Sequence, residues 1–358
     1  MVLVLGVSAG AGSARAVLTH SDQPHLPPID QCQVPRRVGG AIDEPVFEAI
    51  RRMRGAAAKR DELITATAVT CRCAEHAESI RITAGHRDLL LVDEPLAQLR
   101  YLRFTGQLPH TGSVILYDLG SSGLTITHAD CRTDTVLAVR RSTVLGGDGY
   151  DALLRGQLAR EGVIADQPTS RRHREELSSA RVITAWDTDT GSRAVLTRND
   201  LAALRSTGLR HSVSIVRELV EESGSTLQAV VLLGGCLRDP TLRTALADRF
   251  GVPIVYDSDP DTVSARGAVL LAAQRHPDVR MNRVCGATPP PGSALSELSG
   301  SIVAPVVGRR KLVAAVAVTV ALAATIAGLL AAQRNSDQPS GRISVPTQIV
   351  DTAPTPPR

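Results

Sequence analysis

Tyr117-Asp118-Leu119-Gly120-Ser121-Ser122-Gly123 stands between two apolar runs, Val114-Ile115-Leu116 and Leu124-Thr125-Ile126-Thr127. The pattern predicts two strands joined by a glycine-rich turn. Glycine lets the backbone approach a bound group closely, and successive N–H groups pointing inward make a concavity suited to phosphate. A carboxylate at the end of the first strand, Asp118, is placed to hold a metal ion or its waters beside that phosphate.

Three further glycine-rich turns follow apolar strands: Gly6-Val7-Ser8-Ala9-Gly10-Ala11-Gly12-Ser13, Leu145-Gly146-Gly147-Asp148-Gly149-Tyr150-Asp151, and Gly234-Gly235-Cys236-Leu237-Arg238-Asp239-Pro240. Each alone is as compatible with a tight connection as with a ligand site. None is a P-loop, because the only lysines, Lys59 and Lys311, do not follow glycine in a G-K-[ST] context.

Around these turns, short apolar runs alternate with helical spacing. Strands are expected at Val2 to Val7, Arg15 to Leu18, Ile64 to Val69, Leu89 to Val92, Val114 to Leu116, Thr135 to Val139, Val230 to Leu233 and Val252 to Val255. Helices are expected at Glu44 to Ala58, Ala74 to Ala84, Pro95 to Phe104, Tyr150 to Glu161, Asn199 to Glu222, Asp239 to Phe250 and Thr262 to Gln274. This rhythm is that of an α/β protein.

Taken in order, the turns resemble the nucleotide-binding domain of the 70-kilodalton heat-shock chaperones, within the actin-like and sugar-kinase-like ATPase superfamily. Gly6 to Ser13 is similar to the first phosphate hairpin, Asp118 to Gly123 to the second, Leu145 to Asp151 to L-G-G-x-x-[FY]-D, and Gly234 to Pro240 to the adenosine-binding G-G-S-T-R-x-P. Ala84-Gly85 with Glu94-Pro95 and Ala97 resembles the segment linking the lobes, and Asp259-Pro260-Asp261 with Val263, Ala265, Arg266, Gly267 and Ala268 the closing helix. Arg171 to Ala180 resembles the helix whose polar face lies against adenosine, with Arg171, Arg174 and Ser178 on one face; a solvated helix face is the alternative.

The resemblance implies a two-lobed actin-like ATPase (ribonuclease-H-like) fold with ATP or ADP in the cleft and Mg2+ as a possible companion. It places Ser8, Gly10, Gly12, Ser13, Gly120, Ser121, Ser122, Gly123, Gly146, Gly147, Arg174, Ser178, Gly234, Gly235 and Arg238 at the nucleotide. Asp118 would be the metal ligand, and Asp118 and Glu94 the catalytic carboxylates; Glu94 serves equally as a helix N-terminal carboxylate. Arg238 is the adenine candidate, since a guanidinium plane stacks on a base.

Departures from the family matter as much. Its first-hairpin aspartate is Ser8 here, and Ala11 and Gly123 remove hydroxyls near the terminal phosphate, which should weaken metal-dependent hydrolysis more than binding. The stretch from Gly10 to Glu94 is much shorter than in the chaperones, implying a reduced first lobe without the basic catalytic residue that its outer subdomain supplies. Lys59 has no surroundings that place it at a phosphate. Three readings stay open: a nucleotide-responsive switch or scaffold with weak or no hydrolysis, a Mg-dependent ATPase, and an interaction module without nucleotide.

Composition narrows the partners. A net charge of +4 in 358 residues, with 2% aromatics to stack on bases, gives no case for nucleic acid, while 43% hydrophobic residues are ample for a core. The cysteines, among them Cys71 and Cys73, contain no C-x-x-C pair, and ordinary packing is the expectation for them. Met1 to Val7 has no basic n-region and reads as a first strand.

The chain divides into residues 1–276, with lobe I at about 1–112 plus the 260–276 helix and lobe II at about 113–259, followed by a Pro/Gly/Ser-rich linker at 277–311. Leu312 to Ala332 is a run of 21 residues without a charge or proline, long enough to span a bilayer as one C-terminal transmembrane helix. Arg309, Arg310 and Lys311 before it, against Arg334 after it, orient the N-terminal domain to the cytoplasm and a disordered 333–358 tail to the outside. No peptide-binding β-domain is expected after residue 275, and the expected partners are a nucleotide, the membrane and an unidentified protein.

Overall fold

The computed structural model describes residues 2–274 except His25 and Val38. Two five-stranded sheets form its frame, and both are built the same way. In the first, β1 (Leu3–Ala9), β2 (Ser13–His20) and β3 (Asp30–Pro35) form an antiparallel meander, after which β4 (Ile64–Cys71) and β5 (Leu90–Asp93) add parallel strands on the other side of β1. Between them lie α1 (Asp43–Ala58) and α2 (Ala74–Ala84), and α3 (Glu94–Phe104) follows β5 directly. The second sheet repeats the plan: β6 (Ser113–Leu119), β7 (Leu124–Asp130) and β8 (Thr135–Ser142) make the meander.

The chain then leaves the second sheet for α4 (Gly147–Arg160), α5 (Gln167–Ser179), the two-stranded hairpin β9 (Val182–Trp186) and β10 (Arg193–Thr197), and the long α6 (Arg198–Ser223). It returns as β11 (Leu227–Leu233), parallel to β6, passes a 3-10 turn at Gly235–Arg238 and α7 (Pro240–Phe250), and adds β12 (Ile254–Tyr256) at the edge. Helix α8 (Val263–Gln274) closes the described chain. These elements amount to a mixed α/β architecture with two sheets, which fits the actin-like ATPase fold.

Burial explains why the central strands are legible. β1 and β6 are buried at every position. A strand covered on both faces reads as an unbroken apolar run. β3, β9 and β10 have only one or two buried positions each, and the sequence reading expects no strand at them.

One face of the first sheet packs on α1 through Leu3, Leu5, Val46 and Ile50, and the other on α8 through Val4, Val69's neighbour Ala68, Ala265 and Val269. Helices α3 and α8 also pack, through Leu99, Leu102, Val263 and Leu270, on Val114, Leu116 and Val231 of the second sheet. The two helices are therefore the shared layer between the sheets. The helices approach so closely that a Cβ on Gly267 would lie 1.9 Å from the carbonyl oxygen of Ala97, and α8 lies so close to β1 that one on Gly6 would lie 2.1 Å from that of Ala265. Gly6 opens the first glycine-rich segment, but its absent side chain serves helix-on-sheet packing.

Among the described residues no helix is long and apolar enough to cross a membrane. The expected span at Leu312–Ala332, the preceding linker and the tail lie outside the described residues.

Candidate functional site

The two meanders place their first turns side by side. The turn between β1 and β2 carries Gly10 and Gly12, that between β6 and β7 carries Gly120 to Gly123, and a Cβ on Gly12 would fall 2.5 Å from the Oγ of Ser121. Beside them lies a cleft of about 390 Å³. Ser8, Gly10, Gly12, Ser13, Gly120 and Ser121 line it from the hairpins, Arg174 and Ser178 from α5, and Gly234, Gly235 and Arg238 from the turn after β11. Sequence segments more than two hundred residues apart thus share one wall-to-wall cavity.

Ser122, Gly123, Gly146 and Gly147 do not line the cavity. Gly123, Gly146 and Gly147 are packed around the second hairpin, and Ser122 is exposed in its turn. A Cβ on Gly146 would lie 2.6 Å from the Gly123 nitrogen, and one on Gly123 would lie 2.6 Å from the Ser142 carbonyl oxygen. The Gly147 and Asp148 N–H groups donate to the carbonyls of Gly120 and Ser121 at 3.0 and 2.8 Å, so this motif buttresses the hairpin and shapes it. Gly234 has φ +92°, and any Cβ there would sit 2.5 Å from the Leu119 carbonyl oxygen; glycine alone suits that turn.

The carboxylates of the site are already partnered. Asp118, buried at the end of β6, accepts from Nε2 of Gln98 at 2.8 Å. Glu94, buried at the start of α3, accepts from Nε of Arg72 at 2.6 Å, and Nη2 of the same arginine lies 3.8 Å from Asp118. Burial, with the Glu94 charge close by, pushes the Asp118 carboxyl up to about 6 despite Arg72. The Glu94 charge in turn drives Arg72 upward.

Arg72 is the residue that sequence reasoning missed. No substitute for the family's basic catalytic residue is expected from the sequence, yet the Arg72 guanidinium stands within 4 Å of both carboxylates. The signal was positional: Arg72 directly follows Cys71, the last residue of parallel strand β4. Ligand-facing side chains of α/β sheets gather at such carboxyl ends. The neighbouring cysteines do not pair on a strand face; Cys71 ends β4 and Cys73 is the N-cap of α2.

Arginines dominate the remaining wall. Arg15 of β2 binds Asp261 at 2.7 Å, and Arg238 binds Asp261 and Asp259 at 2.6 and 2.9 Å, so Asp261 ties the first sheet to the turn after β11. Arg238 is half exposed at the cleft rim with its orientation fixed by this pair of carboxylates. Arg174 donates to Asp151 at 2.6 Å, joining α5 to the end of the Leu145 to Asp151 motif, while Arg171 pairs with Glu175. The predicted shared face of Arg171, Arg174 and Ser178 does line the cavity. Deeper, Arg205 of α6 donates to Asp239, and both are buried. Lys59, at the C-cap of α1, is not in the cleft lining.

Comparison with known proteins gives this arrangement a lineage. A family model described as Hsp70 protein matches residues 84–289, more than half of the chain. The chain belongs to the Hsp70 family. It is 30% identical over 268 residues to a chaperone protein HscA homolog of Pseudomonas fluorescens, covering 69% of this chain and 42% of that protein. Identity to the HscA homolog of Pseudomonas aeruginosa is 33% over 205 residues, and to the HscA of Citrobacter koseri 30% over 203, each covering 53% of this chain and 32% of the relative. The chain thus spans less than half the length of these relatives, and what it shares with the Hsp70 family is a divergent nucleotide-binding domain.

A divalent ion, usual for this Hsp70 domain, does not suit the donor set. Magnesium takes oxygen ligands in near-octahedral geometry and is commonly anchored by one or two carboxylates. Here the first hairpin offers Ser8, and Asp118 and Glu94 are both engaged, the latter in a 2.6 Å ion pair. Among the described residues no group of three or more His, Cys, Asp or Glu is placed to hold a metal. Asp118, the expected metal ligand, is better described as one end of a carboxylate–guanidinium–carboxylate row.

Proposed function

We propose that the chain is a chaperone-like nucleotide-binding protein that acts as an ATP- or ADP-responsive switch or scaffold, with weak or no hydrolysis. The observation that supports this is the convergence of both hairpin turns, the Gly234 turn and the α5 face on a single cleft lined by arginines. Guanidinium groups and backbone N–H donors suit a phosphate chain. Weak hydrolysis is supported by Ser8 and by the engagement of both carboxylates, Glu94 by Arg72 and Asp118 by Gln98 with Arg72 at 3.8 Å, which competes with taking a proton from water.

The switch would work through differential binding. A nucleotide that touches both hairpins favours whichever lobe arrangement makes both sets of contacts, and a protein partner sensing that arrangement would respond. A membrane location rests on the run Leu312–Ala332 and its basic flank, with the nucleotide domain in the cytoplasm. The partner itself would be a protein of unspecified identity.

Calorimetric titration of the full chain with ATP tests the reading. Saturable binding at or below millimolar concentration is expected, and Ser178→Glu, which adds a carboxylate to the cleft wall, should weaken it about tenfold or more with unchanged thermal stability. Absence of binding at millimolar ATP would reject the proposal. Phosphate release above background that disappears in Glu94→Gln would instead favour an ATPase.

A further inference from the structure

Six arginines line the cleft, against five carboxylates. Arg72 faces the two carboxylates expected at the reaction centre, Glu94 at 2.6 Å and Asp118 at 3.8 Å, whereas the other paired arginines hold carboxylates elsewhere in the wall. Its side chain is 16% exposed, so the guanidinium is held in the cleft wall and is not a surface group swung inward. It lies against Gly120 of the second hairpin, where a Cβ would be in ordinary contact at 3.5 Å with both Nη1 and Nη2. Among the described residues, only Nε of this guanidinium makes a hydrogen bond, to Glu94. Nη1 and Nη2, against the second hairpin, retain donors for a ligand.

From this we infer that Arg72 is a built-in cation that stands in for the divalent metal, so that the cleft takes a nucleoside polyphosphate without magnesium. A metal ion entering between Glu94 and Asp118 would have to displace a guanidinium already hydrogen-bonded there and would leave that charge beside it in a buried place. With the guanidinium retained, the carboxylate row is partly neutralised and the remaining donors meet phosphate oxygens directly, as charge-assisted hydrogen bonds. Arg72 is thereby a binding residue whose chemistry suits recognition of polyphosphate, not water activation.

The inference rests on the nucleotide-binding reading, and the test separates the two. Full-length chain is titrated with ATP in EDTA and again in excess magnesium. Affinities equal within about twofold are expected. Binding at least about tenfold tighter with magnesium, or seen only with it, overturns the metal-free cleft while leaving nucleotide binding intact; no binding in either buffer overturns both. Arg72→Gln should lose about tenfold or more of the metal-free affinity and gain a dependence on magnesium, since it releases both carboxylates. Should that variant not fold, the wild-type comparison still decides.

Discussion

At the scale of single residues, the site holds charge that the fold alone would not choose. Asp118 is buried beside Glu94, and its carboxyl is pushed up to about 6 from 3.8 by burial first and then by that neighbour. Its folded-state value lies above the unfolded one, so the folded protein binds more protons between about pH 4 and pH 6. Stability of the unliganded chain from this group therefore falls as pH rises through that window, and the deficit persists above it. Asp118→Asn should raise the urea unfolding free energy at pH 7 by about 1–3 kcal/mol and flatten the pH dependence between pH 4 and 6. A variant less stable than wild type at pH 7 would show that ionised Asp118 is a net structural asset. Asp239 is the opposite case. Burial pushes its carboxyl up, but the hydrogen bond and charge of Arg205 outweigh this and hold it below the usual carboxylate range, so its contribution is present at neutral pH and lost on acidification.

Among elements, the crossing of α3 and α8 between the sheets carries the sharpest steric demand. Gly267 meets the backbone of Ala97 with no room for a methyl group, and neither helix can yield without moving off a sheet. Gly267→Ala is expected to lower stability by about 3 kcal/mol or more, beyond ordinary overpacking because the obstacle is backbone. Gly156, in the interior of α4, has nothing within 4 Å of its would-be Cβ. Gly156→Ala should therefore gain about 0.5–1 kcal/mol from helix propensity. Thermal unfolding of the pair checks both, and equal effects would contradict the packing described for α8. The comparison also separates glycines that a motif reading treats alike: Gly6 and Gly267 serve packing, Gly10 and Gly120 line the cleft.

For the molecule as a whole, the proposed membrane anchor has a direct test. Full-length chain should pellet with membranes and resist extraction by high salt, whereas a chain ending at residue 276 should remain in the supernatant; a full-length chain released by salt alone would reject a spanning anchor. Much of the fold could be read in advance, because β1 and β6 are buried throughout and β4 and β11 over their last five residues, so that apolar residues dominate these runs. The edge strand β3 and the hairpin β9–β10 could not, since strands with a solvent face owe their structure to neighbours more than to their own composition. By itself the sequence determined the α/β rhythm and the order of the glycine-rich turns, local properties of composition and spacing; that Ser8 stands in place of an aspartate came from the family resemblance. Only the tertiary structure decided what stands between Glu94 and Asp118. Ion pairing depends on distance in space, and the two sheets bring Arg72 to carboxylates 22 and 46 positions away, where no pattern along the chain could place it.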